Sequence, residues 1–247
     1  MFGNKWASAS LLAALLATPV MPSLAATQIG VAASIKPNAE RIEGTNIQSL
    51  SAGNEIYANE SIRTGNLGQA DLVFVDKTNL TVGPASEVRL DKFVYDPNGP
   101  RGQVVMKITK GAFRFVTGTQ DHNAYKVTTP FGTLGVRGTV VEMVIQPKGT
   151  RRQRADKCDA KIRLVEGRAT YRTSSGKTAE LTEPNQVACV SELGDVSYSS
   201  SSESILTFEV GDVGGGGGPP PGVPPPPGGG PPNGPPPCAS PARIDCR

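Results

Sequence analysis

Apolar and polar residues alternate with period two in short runs from Gly30 to Val210. Ala70, Leu72 and Phe74 alternate with Asp71, Val73 and Val75. Val88 and Leu90 alternate with Glu87, Arg89 and Asp91, and Val104, Met106 and Ile108 alternate with Val105, Lys107 and Thr109. Phe113 and Phe115 flank Arg114. Period two is the mark of strands that bury one face. Turn-forming residues separate the runs: Asn66-Leu67-Gly68, Asp76-Lys77, Gly83-Pro84, Asp96-Pro97-Asn98-Gly99, Gly111, Gly118 and Gly149. No window beyond the first residues carries a helical stripe, so the prediction is an all-β chain. Strands at roughly eight-to-twelve-residue spacing fit a sandwich, a barrel or a solenoid, and the pattern alone does not choose among them.

The two ends read differently. Lys5 precedes an uncharged stretch, Ala7 to Val20, and Ser23-Leu24-Ala25 offers small residues to a signal peptidase. Residues 1–25 are therefore expected to be a secretory signal, and no later segment resembles a membrane span. After Val213 the composition becomes almost wholly glycine and proline. Residues 214–237 are expected to be a disordered spacer with polyproline stretches, because such a sequence cannot bury a core. Residues 238–247 form a short end carrying two cysteines. Between these lies one β domain, residues 26–213, long enough for a single sizeable core.

Export frames the chemistry. The formal net charge of the full chain is only +3, which with export argues against a nucleic-acid partner. Cys158, Cys189, Cys238 and Cys246 are even in number and expected to pair as disulfides. Of the three connectivities, sequence proximity favours Cys158–Cys189 and Cys238–Cys246. No CxxC occurs, and His122, the single histidine, sits in a polar turn-like stretch. No zinc site, no cofactor and no catalytic constellation is expected. Lys148, Arg151, Arg152, Arg154, Lys157, Lys161 and Arg163 face only Asp156 and Asp159 in one segment. This basic cluster, with Arg151, Arg152 and Arg154 at its centre, is the candidate contact for an acidic envelope partner, a protein or an anionic polysaccharide. Its bland alternative is a solvated loop. A Cys158–Cys189 bridge would tether it, and a tethered loop loses less freedom on binding.

Three blocks occur in order: IRTGNLGQADLVFVDKTNLTVGPASEVRLDKFVYDP from Ile62, then ITKGAFRFVTG, then VTTPFGTLGVRGT ending at Thr139. A fainter echo, LVEGRATY, follows at Leu164–Tyr171. Together they resemble the FecR domain, a bacterial envelope module, with a core likeness over 62–139. The resemblance implies a non-catalytic, β-helix-like (β-solenoid) wrap of short strands, with Ile29–Gln48 and Ser197–Val210 as candidates to cover its ends. It also implies kinship with transmembrane regulators that relay receptor status to a sigma factor. This chain shows neither their cytoplasmic region nor their internal span. The expectation is therefore an exported binding module of the periplasm or cell surface, with an accessory sensor contacting an outer-membrane receptor as the alternative. One departure stands out. The family has Asp-Gly where this chain has Asp76-Lys77, and lysine in a left-handed turn costs about 1–2 kcal/mol. In the third block Gly135 and Gly138 flank Arg137. An arginine there can bind an anion or clamp two strands from inside, and the clamp is the expected role.

Overall fold

A computed structural model describes residues 27–95, 102–121, 123–149 and 158–210. The expected signal, the Gly/Pro spacer, His122, Arg151, Arg152, Arg154, Cys238 and Cys246 lie outside the described residues. The described residues form fifteen strands joined in a single branched sheet. They are β1 Gln28–Lys36, β2 Ala39–Glu43, β3 Asn46–Leu50, β4 Glu55–Tyr57, β5 Ser61–Thr64, β6 Gln69–Phe74, β7 Asn79–Val82, β8 Glu87–Val94, β9 Gln103–Val116, β10 Tyr125–Thr129, β11 Gly132–Ile145, β12 Ala160–Thr173, β13 Thr178–Leu181, β14 Gln186–Val190 and β15 Val196–Ser200.

The alternation read from the sequence holds. Ala70, Leu72, Phe74, Val88, Leu90, Val104, Met106, Ile108, Phe113 and Phe115 all enter one hydrophobic core shared by most strands. Every strand pair among the described residues is antiparallel except β9 with β10. Tight turns account for the hairpins β2–β3, β6–β7, β10–β11, β12–β13 and β14–β15, since a few residues can only return the chain antiparallel to itself. The all-β class is as expected. Stacked parallel rungs of a β-helix-like wrap are not what these pairings form.

Three strands of fourteen residues organise the rest, and each bends in its middle. The first half of β9 pairs with β8 and β10, and its second half pairs with β7 and β11. The strand turns at Gly111, whose φ is 115°. Gly111 was expected to end a strand and instead creases one. A side chain there would strike Ser86, whose hydroxyl accepts from Ala112 N–H at 3.0 Å. β11 bends at Gly138 (φ 55°) and β12 at Gly167 (φ 85°). The two bends touch, because a Cβ on Gly167 would collide with the carbonyl of Gly138. At the β11 bend the register slips between Arg137 and Val141, a β-bulge. Thr139 fills the gap. Its hydroxyl donates to Arg168 O at 2.7 Å and accepts from Arg137 N–H at 2.8 Å. Its own N–H donates to Thr117 Oγ1 at 2.8 Å. The GVRGT word is thus a folded joint in which glycine supplies the bend and threonine satisfies the backbone that the bend unpairs.

The segment Ser201–Val210 covers neither end of the sheet. It runs from β12 over β11 to the end of β7, through Arg163, Glu142 and Gly83. Ile29 and its neighbours in β1 form an interior strand between β4 and β6.

Candidate functional site: a fastened loop base and a covered polar row

The basic segment lies in the chain between β11 and β12, and its described ends are fixed. Cys158 is bonded to Cys189 of β14, with Cα atoms 5.2 Å apart. Next to the bridge, Asp159 O accepts from Gln146 N–H at 2.8 Å and Asp159 N–H donates to Val190 O at 2.9 Å. The Asp159 carboxylate accepts from Glu192 N–H at 2.6 Å. The disulfide and two of these hydrogen bonds hold this base against β14 and the residues just after it, while the third ties the two ends of the segment to each other. Lys148 is exposed and Lys161 half-buried at this base. Edge strand β15 runs alongside, with Ser197, Tyr198, Ser199 and Ser200 exposed.

Arg163, counted in the basic cluster, is covered and adds nothing to an exposed basic surface. It belongs to a buried row across three neighbouring strands. Glu142 of β11 stands directly opposite Arg114 of β9 and Arg163 of β12. Its carboxylate receives Arg114 Nη1 and Arg163 Nη1, each at 3.1 Å. Glu142 is 1% and Arg163 6% exposed. The covering segment completes the row. Arg163 Nε donates to Ser201 O at 2.9 Å, and Nη2 donates to Ser202 O at 3.1 Å and to Asn185 Oδ1 at 2.7 Å. Ile205 N–H donates to Glu142 Oε2 at 3.1 Å. Farther along, Leu206 is buried and the Phe208 ring lies directly on Gly83. The clue in the sequence was a lone glutamate inside the apolar run Val140–Ile145, which needs a buried partner to be tolerated.

Arg137 corrects an expectation. It is exposed, and among the described residues no side-chain bond holds it. Parity accounts for this: Leu134 and Val136 point inward, so Arg137 points outward, and the bulge after it turns Thr139 inward. The internal clamp exists, but Arg163 and Thr139 form it. Gly135 also differs from its reading. A Cβ there would meet only Thr170 O at 3.9 Å, an ordinary contact, so no close approach demands glycine.

The Asp76-Lys77 departure has its answer in a second buried network. Lys77 does take the left-handed conformation, φ 67°. Lys77 N–H donates to Phe74 O at 2.9 Å and Phe74 N–H to Thr78 O at 2.9 Å, closing a three-residue hairpin loop with a bulge. Asp76 is fully buried and locks that loop. Its carboxylate accepts Thr78 N–H at 2.9 Å, Thr78 Oγ1–H at 2.8 Å and Tyr125 O–H at 2.9 Å. Its carbonyl accepts Thr119 N–H at 2.8 Å. Burial pushes the Asp76 carboxyl above its ordinary range, against the pull of the Thr78 and Tyr125 hydrogen bonds. Tyr125 is pushed up to about 12, by burial first and then by the Asp76 charge. Enclosed on every side, this pair is a joint between β6, β7, β10 and the 117–120 turn. Among the described residues no group of three or more His, Cys, Asp or Glu could hold a metal ion.

Residues 60–167 match the family model described as "FecR protein". The match spans all three blocks recognised in the sequence and reaches the start of the Leu164 echo. No curated protein matches the chain. Two crystal structures of a "putative anti-sigma factor from Parabacteroides distasonis ATCC 8503", at 2.50 Å and 1.65 Å resolution, are similar at 12% identity with TM-scores of 0.42 and 0.41. Each covers 57% of this chain, and the chain spans 59% of theirs.

Proposed function

We propose that this chain is a non-enzymatic, exported binding module of the bacterial cell envelope whose contact surface is the basic segment between β11 and β12. The observation that carries the reading is the fastened base. A loop with its ends fixed by Cys158–Cys189 and by Asp159 has less freedom left to lose when a partner arrives. Arg151, Arg152 and Arg154 supply the charge for an acidic protein or an anionic polysaccharide. Exposed charges attract through solvent, so binding should weaken as the Debye length falls from about 10 Å at 0.1 M salt to about 3 Å at 1 M. The test replaces Arg151, Arg152 and Arg154 by Ser and measures retention on an anionic polysaccharide matrix across a salt series. Retention that is equal in variant and wild type sinks the reading. Lys5 and the uncharged stretch that follows support export, and detection of the chain in the periplasmic fraction would test it.

The FecR match over 60–167 favours a second reading, an accessory sensor that contacts an outer-membrane receptor. Crosslinking in intact cells separates the two. A receptor as the main crosslinked species, unaffected by the triple Ser variant, would replace the first reading.

A further inference from the structure

The covering segment Ser201–Val210 is held in an unusual way. It adds no strand to the sheet among the described residues. Beyond Ser201, whose N–H donates to Asn185 O at 2.9 Å, side chains of the sheet grip its main chain. Arg163 donates to two successive carbonyls, Ser201 and Ser202, and Glu142 accepts the Ile205 N–H. These contacts ignore the identity of the covering residues. Specificity comes farther along, where Leu206 is buried and Phe208 sits on the bare backbone of Gly83. The segment itself is mostly exposed or half-buried, with Leu206 its one buried residue.

The floor is the second observation. Charges under a permanent cover are a poor choice, because apolar residues of similar volume would often be as stable or more so. Charges suit a surface that meets water when its cover lifts. Arg163, Glu142 and Arg114 can be hydrated, whereas an apolar floor would become a sticky patch. We infer that the groove beneath Ser201–Val210 is a peptide-binding groove, closed by the chain's own strap and able to accept an extended peptide of a partner protein. The partner peptide needs free backbone carbonyls for Arg163, an N–H for Glu142, and an apolar-x-aromatic pair spaced like Leu206 and Phe208.

A tethered strap competes at an effective concentration of about millimolar, so the wild-type groove should bind a free peptide poorly. Phe208→Ser in the full chain weakens the strap without touching the groove. The probe is a fluorescent synthetic peptide, SSESILTFEV, which copies the strap. The expected result is saturable binding to the Phe208→Ser variant, at least about tenfold tighter than to wild type. Adding Gly83→Ala should abolish it. Gly83 does not have a positive φ, so the backbone tolerates alanine, but the methyl fills the aromatic seat. Absence of binding by Phe208→Ser, or equal binding by the double variant, overturns the inference. So does loss of the β-sheet signature in Phe208→Ser, which would make the strap a permanent part of the fold. A concentration-dependent wild-type dimer that Gly83→Ala dissolves would assign the groove to a second copy's strap and overturn the partner-peptide assignment.

Discussion

Replacing Glu142 by alanine should be among the most damaging single changes in the described sheet, and the geometry says by how much. The carboxylate neutralises two arginines and accepts a strap N–H. Its loss strands Arg163, which is almost wholly buried, with a charge and no counterion. Leaving one buried charge unpaired costs about 3–5 kcal/mol. Arg114 differs, since 28% of its side chain is exposed and water can take over its donors. Arg114→Ala also leaves Glu142 paired with Arg163, so its cost should be about 1 kcal/mol or less. For a domain of this size each kcal/mol shifts Tm by about 2–4 °C, so Glu142→Ala should lower it by roughly 6–20 °C. Joint replacement of Glu142 and Arg163 by Met removes both charges and should cost less than Glu142→Ala alone. Urea unfolding of the four proteins, followed by circular dichroism, gives the series. If Arg114→Ala costs as much as Glu142→Ala, or if the double Met variant is worse than the single alanine, the buried-charge argument is wrong.

Two further outcomes are expected. Gly167→Ala should destabilise strongly, because its φ of 85° disfavours a side chain and the new Cβ would strike the Gly138 carbonyl; a melting temperature within a degree or two of wild type would refute the joint. Asp76 has a raised folded-state pKa, so its contribution is fully present below the unfolded value of 3.8 and is lost as pH rises through the folded value. Wild-type stability should therefore gain a downward slope in that acid window that Asp76→Asn lacks, read from urea midpoints at a series of pH values. Identical slopes would mean that folding leaves the Asp76 pKa unchanged and would refute the raised value.

Strand positions were legible in the sequence because alternation reports which face is buried, and β8 and the first half of β9 show it residue by residue, whereas in β6 Asp71 is buried on the opposite face as well. Their pairing was not legible. Gly111 carries the same letter in a turn as in a crease, and only the neighbouring Ser86 decides which it is. The third block was visible, but its working residue was not. Arg137 and Thr139 lie two apart, and ordinary strand parity would place them on one face; the bulge reverses that. Arg163 looked like one more cation in a basic run. Its burial depends on standing opposite Glu142, a register that forms only when β11 and β12 pair over their full length. The Cys158–Cys189 pairing was readable from grouping and forms in the structure. By contrast, Asp76 announced a turn but not the tyrosine that reaches it from β10.

The shared crease also bears on where this module can be cut. The family match stops at residue 167, which is the bend of β12 itself. A fragment of residues 60–167 would end in the middle of a fourteen-residue strand and lose Arg168 O, the acceptor for Thr139. It would also strip β1 from β6, β2 from β5 and β14 from β12, and remove the strap from Arg163. The unit that similarity recognises is therefore smaller than the unit that folds. Recombinant work, domain grafting or transplantation of the matched segment should keep Gln28 through Val210, so that its paired strands and its strap stay together.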